Sequence, residues 1–151
     1  MRFAVLGLSV LIGVSGCATA TTPIPVKDAQ YVPSDRVFRT EQGSQEDNAK
    51  ALFVRDVGFT GGGVYLHLFI DGIKAASLNP GEKVEFVLPA GEHIFGVVPT
   101  DPFKTHLMNT IDQELKAEKQ YFYRLRIDGN TLKPVVQRFI PEIEEKAGLT
   151  Y

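Results

Sequence analysis

The sequence predicts an all-β protein, a single sandwich of the immunoglobulin or transthyretin type. Three observations predict it. From Ala49 onward, short apolar runs are separated by turn residues at intervals of roughly eight to twelve positions, the spacing of a sandwich rather than of a helical bundle. Several runs alternate apolar and polar residues with the strand period of two. Fourteen glycines and nine prolines supply many turns and disfavour long helices.

The elements follow in order. Ala49–Asp56 is the first expected strand. Val64–Asp71 is the clearest: Val64, Leu66, Leu68 and Ile70 alternate with Tyr65, His67 and Phe69, and bulk on both faces predicts an interior position. Asp71-Gly72 then falls at hairpin spacing and suits a type I′ turn, in which both central residues need φ > 0. Ile73–Leu78 returns, and Asn79-Pro80-Gly81-Glu82 turns the chain. Lys83–Leu88 points Val84, Phe86 and Leu88 inward. Pro89-Ala90-Gly91-Glu92 leads into a strand over His93–Val98. In Lys104–Lys119 the spacing of Leu107, Ile111 and Leu115 fits a helix, but Leu107, Asn109, Ile111 and Gln113 also permit a strand. Tyr121–Asp128 is β, with Tyr121, Tyr123, Leu125 and Ile127 on one face and Phe122, Arg124 and Arg126 on the other. Asp128-Gly129-Asn130 turns into a last strand near Lys133–Ile140. Pro141 ends it, and Glu142–Ala147 has room for a short helix.

The grammar of Val64 to Val98 resembles PEGA-type β-sandwich domains and a related group of small bacterial lipoproteins. It consists of a strand closed by Asp71-Gly72, a glycine turn before Val84-Glu85-Phe86, and Leu88-Pro89-Ala90-Gly91-Glu92-His93 opening the next strand. Leu115-Lys116-Ala117-Glu118-Lys119 and Tyr121-Phe122-Tyr123-Arg124 stand where that group has a later turn and strand, with Glu118 at a position usually held by glycine. The resemblance covers about residues 49–140 and implies a strand for Lys104–Leu115. Its motifs are turn chemistry, so it implies a fold and carries no catalytic residues.

The N-terminus carries the most specific signal. Arg2 is followed by an apolar stretch from Phe3 to Val14, which Ser15, Gly16 and Cys17 close. The stretch is too short for a spanning helix and ends in small residues, so it reads as a signal peptide over 1–16. Val14-Ser15-Gly16-Cys17 resembles the lipobox of bacterial lipoproteins, and Cys17 is the only cysteine in the chain. That resemblance implies diacylglycerol on the Cys17 sulfur, cleavage before it and acylation of the new amino group. Ala18, rather than aspartate, then implies the periplasmic face of the outer membrane in a Gram-negative envelope. Residues 17–48 are expected as the lipidated cysteine, an Ala/Thr/Pro-rich tether and a polar loop, residues 49–140 as the sandwich, and 141–151 as a tail.

Sixteen Lys and Arg against eighteen Asp and Glu give a net charge of −2, without the basic bias of nucleic-acid binders. One cysteine excludes an intrachain disulfide and a multi-thiolate metal site. His67, His93 and His106 show no metal-ligand spacing. His67 is expected packed or at a rim, and His93 follows a turn and fits the Gly-Glu-His capping grammar of the resembled group, which implies a structural role. Gly61-Gly62-Gly63 precedes a strand and lacks the lysine of a phosphate loop, so a hairpin loop is expected. No serine lies in a nucleophile elbow, and pairs such as Glu46 with Asp47 or Glu144 with Glu145 read as solvated. No cofactor, metal or catalytic set is expected.

Phe122, Arg124 and Arg126 remain as candidate partner-binding residues, a cationic and partly apolar strip suited to carboxylates or lipid phosphates, with Arg138 as a further member. The competing expectation is cross-strand pairing of these arginines. The functional expectation is a lipid-anchored envelope module that binds a protein or glycan partner. A structural accessory subunit of an envelope assembly is the second reading, and a hydrolase the third.

Overall fold

The computed structural model describes residues 21–39, 47–58, 61–100 and 108–146. The signal segment, Cys17, the loop at 40–46, His106 and the chain beyond 146 lie outside the described residues. So do the side chains of 144 and 145.

Among the described residues, nine strands form two packed sheets, the all-β sandwich that the sequence predicts. They are β1 (Gln30–Tyr31), β2 (Asn48–Arg55), β3 (Leu66–Ile70), β4 (Ile73–Leu78), β5 (Glu82–Pro89), β6 (Gly91–Pro99), β7 (Asn109–Leu115), β8 (Gln120–Ile127) and β9 (Pro134–Phe139). One sheet has the order β1-β5-β2-β8-β9 and the other β4-β3-β6-β7. Pairing is antiparallel except for β1 with β5 and β2 with β8. A helix, α1 (Pro141–Lys146), follows β9, as Pro141 foretells.

The inward faces meet in one core. Phe53, Leu66, Leu68, Ile70, Phe95, Val97, Tyr123 and Leu125 are all fully buried there. β3 lies between β4 and β6, the interior position that its sequence predicts. The sandwich has two ends. Asp71-Gly72, Pro89-Ala90-Gly91 and the turn at 116–119 lie at one. The loop that starts at Asp56, the turn at 79–81 and the turn at 128–133 lie at the other.

Asp71 and Gly72 have φ of 54° and 79°, so the hairpin takes the left-handed pair that the dipeptide predicts. A side chain at Gly72 would meet nothing within 4 Å, so the cost of adding one lies in the backbone. Gly72→Val is therefore expected to lose roughly 1–3 kcal/mol, read as a lower urea midpoint. An unchanged midpoint contradicts this account. Glu118 is a more telling case. Its φ is 60°, so the backbone keeps a left-handed turn where the resembled group has glycine, and its N–H donates to Asn48 O at 2.8 Å.

Residues 109–115 are a strand. The four-residue spacing of Ile111 and Leu115 is close to one helical turn and is twice the strand period, so it cannot separate the two. Pairing with β6 from Gly91 to Val97 decides it. Lys104–Leu107 lie outside the described residues.

Residues 21–35, the described part of the stretch 18–35 expected as an extended tether, instead pack on the sandwich, and residues 36–39 pack with them. Thr22 and Val57 exchange two backbone bonds, at 2.6 and 3.0 Å. Gln30 N–H donates to Gly81 O, Val32 N–H to Lys83 O and Phe38 N–H to Ala75 O. A turn of 3₁₀ helix, Ser34–Arg36, brings Arg36 to Glu82 in a two-pronged bond of 2.7 and 2.5 Å. Main-chain bonds do most of this anchoring, and an irregular Pro-rich segment gives no side-chain pattern from which to foresee them.

Candidate functional site

The period-two geometry of β8 holds. Tyr121, Tyr123, Leu125 and Ile127 are buried inward, while Phe122, Arg124 and Arg126 face the outer side of the five-stranded sheet. That side is not open along the strip. Ile24, Val26 and Ala29 lie across it and make a second apolar cluster with Leu52, Val54 and Phe122.

Arg124 is only 5% exposed. Its Nη1 donates to Asp56 Oδ1 at 2.8 Å and to Ile24 O at 3.0 Å, and the guanidinium sits 4.2 Å over the Phe139 ring. The expected partner-binding role of Arg124 is thereby corrected: it joins the N-terminal segment to the sheet. Phe122 is half-buried beside Phe139, with ring centroids 5.9 Å apart. Arg126 alone of the three reaches an exposed contact, donating to Gln137 Oε1 at 2.8 Å. Arg138 does not join them. It opposes Tyr123 in register and lies 4.7 Å over the Tyr121 ring, on the other side of the sheet.

Asp56, the partner of Arg124, has a side chain 1% exposed. Burial pushes its carboxyl up to about 6, although Arg124 pulls the other way. Its Oδ2 has no hydrogen-bond partner among the described residues. Arg55, the next residue back, is also buried and serves carbonyls. Nη1 donates to Val64 O at 2.6 Å and Leu78 O at 2.5 Å, and Nη2 to Gly61 O at 2.7 Å. Burial lowers its pKa to about 10, with Glu82 acting against that. The glycine run thus belongs to a clamped turn. At Gly61, φ 75°, an added Cβ would stand 2.3 Å from Ile127 Cδ1. The sequence placed Arg55 and Asp56 at the end of a strand and gave no sign of either role.

The two described histidines, His67 and His93, are bonded within the fold. His67 Nδ1 is 2.8 Å from Ser77 Oγ and its Nε2 is 2.9 Å from Thr100 Oγ1; burial first, then Lys74, lowers its pKa. His93 Nδ1 is 2.8 Å from Asp71 Oδ2, and its Nε2 2.9 Å from Pro89 O. Asp71 also accepts the Ile94 N–H at 3.0 Å. Partial burial alone would raise the Asp71 carboxyl, but the Ile94 and His93 bonds outweigh it and hold it low. A groove of ≈ 640 Å³ opens beside this corner, lined by Glu92, Ile94, Asp112 and Glu114 among others. Among the described residues, no three His, Cys, Asp or Glu come together as a metal-sized cluster.

The outer face of the four-stranded sheet differs from its counterpart. Period-two placement puts His67, Phe69, Ile94, Gly96 and Val98 on it. Ile94 is 50% and Met108 41% exposed, while Phe69 and Val98 are half-buried. Met108 lies over Gly96, where its sulfur would be 2.5 Å from an added Cβ. No family model matches the chain, and no curated protein matches it.

Proposed function

We propose that the chain is a lipid-anchored cell-envelope module whose sandwich binds an envelope protein through the outer face of the four-stranded sheet, without catalysis. The anchoring half rests on the sequence: a short apolar leader ending in Val14-Ser15-Gly16-Cys17, with the only cysteine at the acyl-acceptor position. Among the described residues no helix is long and apolar enough to cross a membrane. Two or three acyl chains make a stable anchor where one does not.

The observation that carries the binding half is the contrast between the two outer faces. Residues 21–29 occupy that of the five-stranded sheet. The other presents Ile94 and Met108 to solvent around Gly96, with Phe69 and Val98 beside them. Of the strip expected from sequence, half-buried Arg126 is the member whose side-chain hydrogen bond is exposed.

Cys17→Ser is expected to move the protein from the membrane to the soluble fraction, read after a high-salt wash. Retention in the membrane would end the anchoring account. A photoreactive residue at Ile94, in the native envelope, is expected to give one discrete protein adduct, and the same residue at Arg126 none. Absence of an adduct at 94, or an adduct with glycan, overturns the assigned surface and partner.

A further inference from the structure

We infer that the sandwich stands end-on against the bilayer, with the 128–133 turn as its contact and Leu132 touching lipid; this rests on the proposed lipidation of Cys17. The first described residue, Thr21, donates its hydroxyl to Ile127 O at 2.7 Å, and Thr22 pairs with Val57. Both contacts lie at the end of the sandwich where β8 runs out into the 128–133 turn. Thr21 lies four residue steps from Cys17, with three residues between them, and an extended chain covers about 3.5 Å per step, so the reach is roughly 14 Å at most. A tether running to residue 48 would leave the domain free to tumble. Packing from Thr21 onward does not, and it dictates which end is held to the membrane.

The turn at that end has the features of a lipid contact. Leu132 is 56% exposed and has φ 56°, a left-handed conformation costly to a branched apolar residue. The turn is built to hold it there. Asp128 Oδ1 accepts the N–H groups of Asn130 and Thr131 at 3.1 and 2.8 Å and the Thr131 hydroxyl at 2.8 Å. Leu132 N–H donates to Asp128 O at 2.8 Å, and Asp128 N–H to Lys133 O at 2.9 Å. Exposed Lys133 stands next in the chain. An apolar tip beside a lysine suits the boundary between acyl chains and phosphates, where the ammonium stays with the headgroups. Glycine or asparagine would satisfy this backbone more cheaply, so a leucine there points to use of its side chain.

The chain contains no tryptophan, so a single introduced indole reports without background. The lipidated protein carrying Leu132→Trp is reconstituted into vesicles of phosphatidylcholine and phosphatidylglycerol whose acyl chains are brominated. The comparison is Ile73→Trp, 59% exposed at the opposite end beside Gly72. Emission from position 132 is expected to shift to the blue and be quenched by the brominated lipid, and emission from 73 to do neither. Asn130→Trp gives the same measurement from within the turn if the left-handed backbone rejects an indole at 132. Unquenched emission from both 132 and 130, or equal quenching at 73, overturns the orientation. Intact mass and vesicle flotation read the anchor separately: a protein without acyl mass that does not float overturns the lipidation reading itself.

Discussion

Arg124→Ala is expected to lower the stability of the sandwich at pH 7 by about 3–5 kcal/mol, because it leaves a buried carboxylate without its charge partner. Asp56 and Arg124 have side chains 1% and 7% exposed and meet at 2.8 Å. The loss also frees Ile24 O and with it the segment that covers the sheet. Urea unfolding measures the effect, with Arg126→Ala as the control expected to stay within about 0.5 kcal/mol. Equal, small effects at both positions would return Arg124 to the solvated surface.

The same pair gives a pH dependence with a definite sign. The Asp56 carboxyl is at about 6 in the folded chain against an ordinary 3.8, so the folded state holds an extra proton between those values. Stability conferred by that proton is present below the window and lost as the pH rises through it. Asp56→Asn cannot titrate. Its stability relative to the wild type is therefore expected to improve by about 3 kcal/mol between pH 3.5 and pH 7. Asp71, Glu82 and Asp128, whose carboxyls are held low, titrate alike in both proteins and cancel from the comparison. A difference that does not change with pH would show that Asp56 ionises normally.

Phe53→Ala is the second large effect, also about 3–5 kcal/mol, since it combines lost burial with a cavity that rigid neighbours cannot fill. Phe53 is fully buried on β2. It stacks on Tyr123 at 5.0 Å, meets Phe95 edge-on at 5.0 Å and lies 6.3 Å from Phe86. These rings come from both sheets. Tyr123 adds a bond from its hydroxyl to Gln113 Oε1 of β7, at 3.1 Å. Thermal unfolding of the variant is expected to show a large drop in midpoint with the β spectrum retained below it. A drop no larger than that of Gly72→Val would mean the sheets are not joined through this cluster.

Most of the fold was legible because its instructions are local. The dipeptide Asp71-Gly72 selects a left-handed hairpin whatever surrounds it. The alternation in Lys83–Leu88 and Tyr121–Ile127 sorts side chains between two faces by strand geometry alone. The site was only half legible for the same reason. Alternation placed Arg124 on the outer face correctly, but nothing local says whether an outer face is wet.

By itself, then, the sequence determined the strands, their turns, the two-sheet class and the side on which each residue of β8 stands. Tertiary structure alone decided that residues 21–39 belong to the sandwich, that Arg124 is covered, that Arg55 clamps a glycine turn, and that 109–115 is extended. The physical reason is shared: each depends on a backbone N–H or C=O group meeting a partner that the local sequence does not name, another main-chain group where Thr22 meets Val57 and Ile94 opposes Asp112, or a guanidinium where Arg55 reaches Leu78 O and Arg124 reaches Ile24 O. Every residue but proline carries those same two groups, so such meetings leave no mark in the side chains.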